Sequence, residues 1–240
     1  MIMLKNKTKQ NKQQKNVHSQ PDTSDITQRP RLMKAAEERL TSFGDEMAEA
    51  LSILEAKDKT VTVFGSARFK TNHPDYKKAR EISAMLANEG FTIVTGGGGG
   101  IMQAGNHGAH DVDKSTVGFN IRLPYEQILN KYVSEPASFN YFFTRKVMLT
   151  FFADAYIYFP GGFGTLDELF EVLTLMQTKK IPIVPVVLVG GKFWRPLDRF
   201  IKNHLLKAST ISKEDLKLYT ITDDGRKIKN MLKECGPNSC

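Results

Sequence analysis

AYIYFPGGFGTLDE, residues 155–168, joins an apolar strand, a glycine turn and the first residues of a helix. Glycines at such a turn let backbone N–H groups crowd around an anion, and the following helix adds its unpaired N–H groups and the positive end of its dipole. Glu168 then falls one turn into the helix. The stretch therefore predicts a phosphate site at the end of a strand, with a carboxylate beside whatever carries the phosphate.

Strands and amphipathic helices alternate on both sides of this stretch. The predicted strands are 60–64, 91–95, 116–121, 132–135, 155–159, 183–189 and 218–222. The predicted helices are 32–56, 75–88, 101–110, 139–152, 165–178, 193–206 and 224–233. Several strands are apolar on both faces, as in a parallel sheet that helices cover on both sides. The order predicts an α/β fold, a Rossmann-like doubly wound, mainly parallel sheet with right-handed crossovers.

Three loops carry the glycines that could bind a ligand. They are Gly65–Arg68, Gly96–Gly100 and Pro160–Thr165, and each follows a predicted strand. Strand ends of a doubly wound sheet lie at one edge, where ligands bind, so we expect the three loops to meet over one cleft. Neither the loop at 96–100 nor the loop at 160–165 has the glycine spacing of a dinucleotide fingerprint or of a P-loop. Hydride transfer and triphosphate hydrolysis are therefore disfavoured. A tight turn without a ligand is the alternative for each loop.

The predicted sheet does not by itself explain the positions of two charged residues. Glu168 follows Thr165 with the spacing of a capping box, so a purely structural interpretation competes with a catalytic one. Arg145 interrupts an apolar helix, where it could form an interhelical ion pair, extend its head to solvent, or face the cleft. Since both residues follow the ligand edge by less than two helical turns, we expect them to point into the same cleft.

Composition limits the partners that the chain can have. The formal net charge is +8, but residues 1–31 hold seven Lys and Arg against two Asp, so +5 of it lies in this segment. We predict that residues 1–31 form a disordered basic tail and that nucleic-acid binding by the rest is disfavoured. No apolar run is long enough to span a membrane. Cys235 and Cys240 are interpreted as idle, reduced thiols of a cytoplasmic protein.

The sequence resembles the LONELY GUY family at two motifs. Pro160–Glu168 is similar to the family's P-G-G-x-G-T-x-x-E, and Arg145-Lys146-Val147-Met148 is similar to its R-K-x-x-M. The glycine run with Met102 resembles a third family loop more loosely. Phe143 stands where many members have His, so the resemblance does not extend to the substrate preference of the plant members. The likeness covers residues 60–206.

The resemblance implies hydrolysis of the N-glycosidic bond of a nucleoside 5′-monophosphate, such as AMP or N6-modified AMP, to a free base and ribose 5-phosphate. Arg145 and Glu168 would be the catalytic pair. Arg145 would act as a fixed positive charge, since its pKa is too high for a general acid. The group that protonates the base stays open between Asp167, Glu171 and water. The residues expected to bind substrate and phosphate are Gly65, Ser66, Gly97, Gly98, Gly99, Met102, Lys146, Gly161, Gly162, Gly164 and Thr165.

The expected protein is one Rossmann-like nucleotide-monophosphate-binding domain over residues 32–240. It needs no cofactor and no metal, since the histidines lack ligand spacing. The apolar helix 139–152 favours a homodimer. One alternative is a non-catalytic nucleotide-binding or carrier protein of the same fold. The other is a lysine decarboxylase, which would need a lysine Schiff base with pyridoxal phosphate.

Overall fold

The computed structural model describes residues 29–122 and 128–234, with side chains from residue 39 onward. It divides into two units, Met1–Ser42 and Phe43–Cys240, and the second contains the sheet. The strands are β1 Thr60–Phe64, β2 Thr92–Thr95, β3 Thr116–Ile121, β4 Glu135–Phe139, β5 Ala155–Tyr158, β6 Val186–Leu188 and β7 Thr220–Ile221. The helices are α1 Arg29–Glu55, α2 Pro74–Asn88, α3 Ile101–His110, α4 Phe142–Thr150, α5 Phe163–Gln177, α6 Gly191–Phe200 and α7 Gly225–Glu234.

The seven strands form one sheet in the order β4-β3-β2-β1-β5-β6-β7, and every neighbouring pair is parallel. This confirms the predicted α/β fold. The strand order reverses between β1 and β5, where Phe64 pairs with Tyr158. Loops that leave the two strands at this point diverge, and the crevice between them is where ligands of such sheets bind. The glycine turn at 160–164 follows β5 and therefore lies at this crevice.

Side chains of β5 alternate between two apolar cores. Tyr156 and Tyr158 belong to the core that includes Leu169 of α5, whereas Ile157 belongs to the core that includes Ile101 of α3. All four residues of β5 are buried, because helices cover both faces of the parallel sheet. This burial fixes the end of β5, and with it the start of the glycine turn.

The region before α4 differs from the prediction. The strand predicted at 132–135 lies at Glu135–Phe139, where it pairs with β3 from Val117 to Ile121. The helix predicted from Phe139 begins at Phe142. β4 contains Pro136 but is the edge strand of the sheet, where a missing backbone donor is tolerated. Pairing with β3 then keeps Phe139 extended.

Other boundaries moved by a few residues. α1 begins at Arg29, so the last three residues of the predicted tail are helical, while residues 1–28 lie outside the described residues. The predicted strand at 183–189 shortens to Val186–Leu188, and the helix predicted at 193–206 is α6 followed by π-helical turns at Ile201–Leu206. Both cysteines also lie outside the described residues. No described helix has the length and apolarity that crossing a membrane would require.

Candidate functional site

The loops after β1 and β5 and the start of α3 are joined by backbone hydrogen bonds. The N–H of Ser66 donates to the carbonyl of Pro160 (3.0 Å), and the N–H of Ile101 donates to the carbonyl of Ser66 (2.9 Å). A Cβ on Gly65 would lie 2.7 Å from Cγ1 of Ile101, so this approach requires glycine. The expectation that the three glycine loops meet is confirmed, and the first strand-end loop lies between the other two.

The glycine run after β2 packs directly on the loop after β1. Gly100 has φ +62°, and a Cβ there would collide with the backbone of Ser66 and Ala67. Gly97 also has a positive φ of +70°, a region that glycine enters without strain. A Cβ on Gly99 would lie at an ordinary 3.4 Å from the carbonyl oxygen of Ala67. Two of the five glycines are thus required by backbone conformation.

A buried amide network holds the same run in place. Nδ2 of Asn130 lies 3.0 Å from the carbonyl oxygens of Gly97 and Gly98 and from Oδ1 of Asn106, and it can donate to them. The N–H of Gly97 donates to Oγ1 of Thr95 (3.0 Å). The carbonyls of Gly97 and Gly98 are therefore turned into the protein. Sequence reasoning missed Asn106 and Asn130, which stand in no motif that it identified.

The first turn of α5 is open. Gly162 is its N-cap and no side chain caps the turn. A Cβ on Gly162 or Gly164 would meet nothing within 4 Å, and the side chain of Phe163 between them is 93% exposed. A Cβ on Gly161 would collide with Thr165, which is buried. The backbone N–H groups at this helix start are thus available to an external anion.

The capping-box interpretation of Glu168 is wrong. It required Thr165 at the N-cap, but the helix begins two residues earlier, at Phe163, with Gly162 as the N-cap. Thr165 is inside the helix and 5% exposed. Because Glu168 follows the N-cap Gly162 by six residues and not by three, it cannot make the reciprocal bond that defines a capping box.

Arg145 is buried, with 7% of the residue exposed. Its Nε donates to the carbonyl of Phe119 within β3 (2.6 Å) and its Nη2 to the carbonyl of Gly96, directly after β2 (3.3 Å). A Cβ on Gly96 would collide with the guanidinium and would lie 2.7 Å from Sδ of Met102. Burial lowers the pKa of Arg145, and the charge of Glu168 opposes this. Among the described residues Arg145 makes no ion pair within 4.0 Å. Since it is also buried, it neither forms an interhelical ion pair within this part of the chain nor extends its head to solvent.

The carboxyl group of Glu168 has a strongly raised pKa. Burial raises its pKa to about 7, an effect that Arg145 opposes and Asp167 adds to. Tyr158 donates to its backbone carbonyl (3.1 Å), but no hydrogen bond joins its carboxyl group to another described residue. The mutual electrostatic effect of Arg145 and Glu168 on their pKa values agrees with the sequence prediction that both point into one cleft. A carboxyl with this pKa can exchange a proton near neutral pH.

Lys146 lies beside the pair and joins α4 to α5. Its Nζ is 2.8 Å from Oδ2 of Asp167 and 3.1 Å from Oε2 of Glu171. Burial lowers the pKa of Lys146, but its hydrogen bond to Asp167 and its ion pair with Glu171 outweigh this and raise the pKa. The predicted contact of Lys146 with phosphate stays a prediction. Both carboxylates that sequence reasoning considered as proton donors to the base are engaged by this ammonium group.

Gly96 and Glu46 are further residues of the site region that sequence reasoning missed. Gly96 stood in the glycine run, but nothing in the sequence indicated that a guanidinium occupies the space of its side chain. Glu46 is a buried carboxylate of α1, and the acidic composition of that helix hid it. In residues 29–122 and 128–234, no three His, Cys, Asp or Glu side chains are grouped so as to hold a metal ion.

Comparison with known proteins identifies relatives of this chain. A family model described as "Possible lysine decarboxylase" matches residues 102–232. Cytokinin riboside 5′-monophosphate phosphoribohydrolase of Mycobacterium tuberculosis is 31% identical over 187 residues, which are 75% of this chain and 95% of that protein. The rice enzyme of the same name, LOG, is 36% identical over 101 residues, 41% of this chain and 42% of the rice protein. The match thus spans less than half of the rice relative.

The fold is also found in solved structures. The molybdenum cofactor binding protein of Rippkaea orientalis superposes with a TM-score of 0.55 at 20% identity, over 75% of this chain and 98% of that one. This likeness shows the fold alone. The family match covers more than half of the chain and includes both charged positions of the cleft, Arg145 and Glu168. The chain belongs to the LONELY GUY family.

Proposed function

We propose that this protein hydrolyses the N-glycosidic bond of a nucleoside 5′-monophosphate and releases the free base and ribose 5-phosphate. One observation carries the proposal: a buried arginine and a carboxyl with a pKa of about 7 interact beside an open helix start. The helix start suits the phosphate, and the two charged groups suit the ribose and the attacking water. The names of the mycobacterial and rice relatives support the same reaction.

The proposed chemistry uses Glu168 in its ionised form. Cleavage of the bond between C1′ and the base nitrogen develops positive charge on the ribose, which a carboxylate stabilises. The same carboxylate accepts a proton from water as the water oxygen bonds to C1′. The electron pair of the broken bond goes to the base, which takes a proton from solvent, since Asp167 and Glu171 are held by Lys146.

Arg145 supplies fixed charge. Two carbonyl oxygens hold the guanidinium in place through Nε and Nη2, and the remaining N–H groups are left for a ligand or for Glu168. Such a preorganised cation costs no reorganisation when charge develops in the transition state. Its field also keeps part of Glu168 ionised near neutral pH. Arg145 and Glu168 therefore form one electrostatic unit.

For the substrate we propose AMP or N6-modified AMP, with phosphate at Gly161, Gly162, Gly164 and Thr165. The other residues predicted to bind substrate are Gly65, Ser66, Gly97, Gly98, Gly99, Met102 and Lys146. The relatives named as cytokinin riboside 5′-monophosphate phosphoribohydrolases support an adenine-type base. An unmodified AMP and its N6-modified form share the phosphate and ribose that these residues would bind.

The test is release of adenine from AMP by the purified protein, with Arg145→Ala and Glu168→Gln beside it. We expect Glu168→Gln to lower kcat by about 10²–10⁴-fold and Arg145→Ala by about 10²–10³-fold. Glu171→Gln is the matched control, because Glu171 lies one turn further along α5 and is already paired with Lys146. It should retain most of the activity.

Binding measured on the same samples separates the rival function. If AMP and the other nucleoside monophosphates bind but release no base, the hydrolase proposal fails and the carrier alternative is supported. If base is released equally by the wild type and by Glu168→Gln, the assignment of Glu168 fails while the activity stands.

We also propose a homodimer. Phe142 and Phe143 begin α4, Phe151 and Phe152 follow its end, and each is 44–57% exposed. Four exposed phenylalanines around one nine-residue helix are an apolar surface that a second copy of the chain would cover. Sedimentation velocity should give the mass of a dimer, and a monomer at high concentration would contradict the proposal.

A further inference from the structure

A buried carboxylate anchors the segment at the start of α4. Glu46, in the part of α1 that belongs to the second unit, is 7% exposed. Its Oε1 accepts hydrogen bonds from the backbone N–H (2.9 Å) and from Nδ2 (2.6 Å) of Asn140, and its Oε2 accepts one from Oγ1 of Thr144 (3.0 Å). No Lys, Arg or His of the described residues forms an ion pair with Glu46. A buried charge without a cation depends on such donors.

The same face of α1 packs on the residues around the helix start. The ring of Phe43, three positions before Glu46, meets Tyr141 edge to face with centroids 4.5 Å apart, and Phe143 with centroids 4.7 Å apart. Tyr141 is the N-cap of α4 and makes no side-chain cap bond. The hydrogen bonds from Asn140, which directly precedes this N-cap, and from the side chain of Thr144 in the first turn therefore tie the start of α4 to α1.

We infer that Glu46 is a positioning residue for the proposed hydrolysis, because it fixes the first turn of α4 and thereby holds Arg145 in the cleft. The inference rests on the proposed function. Thr144, which donates to Glu46, directly precedes Arg145 in the chain. α4 has nine residues and Arg145 is the fourth, so any movement of the first turn moves the guanidinium.

The geometry of Arg145 makes this movement consequential. Its guanidinium fits between two carbonyl oxygens and occupies the space that a side chain on Gly96 would take. A displacement of about 1 Å in such a preorganised group can lower a rate about 100-fold. Glu46 contacts Thr144, the residue before Arg145, and makes no hydrogen bond to Arg145 or Glu168.

The experiment compares Glu46→Ala, Glu46→Asp and Glu46→Gln with the wild type in adenine release from AMP between pH 5 and 9. Glu46→Asp keeps the charge but shortens its reach, and it decides the question if Glu46→Ala does not fold. Glu46→Gln keeps an acceptor for Asn140. Glu49→Gln, on an exposed position of the same helix, is the matched control.

We expect Glu46→Ala and Glu46→Asp to lower kcat by about 10- to 100-fold while the KM for AMP changes by less than about threefold. Glu46→Gln and Glu49→Gln should stay within about threefold of the wild type. A positional role also predicts a shift in the pH profile. When Arg145 moves away, its opposing effect on Glu168 weakens, so the limb of the profile set by Glu168 moves to higher pH.

The titration of Glu168 can be followed without turnover, by NMR of carboxyl-labelled glutamate with Glu168→Gln as the assignment control. The charged or titratable groups around it are Arg145 and Lys146 of α4, Asp167 and Glu171 of α5, and Tyr158 of β5. We expect a higher pKa of Glu168 in Glu46→Asp than in the wild type. An unchanged pKa with unchanged kcat would overturn the inference.

Two further results separate this inference from the proposed function. If the wild type releases no base from any nucleoside monophosphate, the proposed function fails, and the NMR titration still decides whether Glu46 positions Arg145. If Glu46→Gln loses as much activity as Glu46→Ala, with the Glu168 titration unmoved in both, Glu46 has a general structural role and the inference is overturned.

Discussion

The starts of α4 and α5 lie at the same edge of the sheet and differ in the side chains that contact them. At α4, the carboxylate of Glu46 accepts from Asn140 and Thr144. At α5, Gly162 offers no cap, and the space beside Gly164 is open. A carboxylate of the protein itself lies against the start of α4, whereas the start of α5 is open to an external anion. Contacts from α1 therefore distinguish two helix starts that the sheet places at one edge.

The two carboxylates at these helices differ in the same way. Glu46 is surrounded by three hydrogen-bond donors, whereas the carboxyl of Glu168 makes no hydrogen bond to a described residue. Burial without donors raises the pKa of Glu168 to about 7. A buried carboxylate with donors holds structure together, and a buried carboxylate without them is poised for chemistry at a cost in stability.

The largest effect that we expect concerns the stability lost by burying Glu168 in its ionised form. The pKa of Glu168 in the folded protein is about 7, above its ordinary value of 4.5. The stability that this shift contributes is present below about pH 4.5 and is lost as the pH rises through 7. We therefore expect Glu168→Gln to match the wild type near pH 4 and to exceed it by about 3 kcal/mol at pH 8, in urea unfolding. Equal differences at both pH values would contradict the pKa assignment.

The second prediction closes the open helix start. Gly162→Asp would place a carboxylate at the N-cap of α5. The backbone of Gly162 (φ −93°) is open to other residues, and a Cβ there meets nothing within 4 Å, so the fold should be kept. Affinity for AMP should fall about 100-fold, equivalent to about 2.7 kcal/mol, because the new anion competes with the phosphate.

Gly162→Asn is the matched control for this prediction, since it caps the helix without a charge. Calorimetric titration with AMP should show a smaller loss of affinity for Gly162→Asn than for Gly162→Asp. If both variants bind AMP like the wild type, the phosphate does not bind at the start of α5, and the comparison between the two helix starts loses its functional meaning.

The smallest effect concerns Lys146, which joins the two helices. Because its ammonium is already paired with Asp167 and Glu171, we expect Lys146→Gln to change AMP affinity by less than about threefold and the unfolding free energy by about 1 kcal/mol or less. The same titration and urea unfolding measure both values. A loss of affinity of tenfold or more would instead assign Lys146 to the phosphate, as its place in the R-K motif suggested.

Much of the fold could be read from local sequence. The alternation of buried strands and amphipathic helices predicted the parallel sheet, and the glycine turns predicted which strand ends come together. These predictions succeeded because a buried strand such as β5 and a glycine with positive φ such as Gly100 are constrained by their own chemistry. The prediction was wrong around β4, where pairing with β3 extends the strand to Phe139 and moves the start of α4 to Phe142.

The sequence by itself determined the glycine turns, the positions of Arg145 and Glu168, and the sheet edge to which both belong, because spacing along a strand or helix fixes the direction of a side chain. The tertiary structure alone decided what those side chains meet. The bond between Glu46 and Thr144, the room that Gly96 leaves for a guanidinium, and the pairing of Lys146 with two carboxylates depend on contacts between residues more than 20 positions apart. Such contacts set burial and charge, which local sequence does not encode.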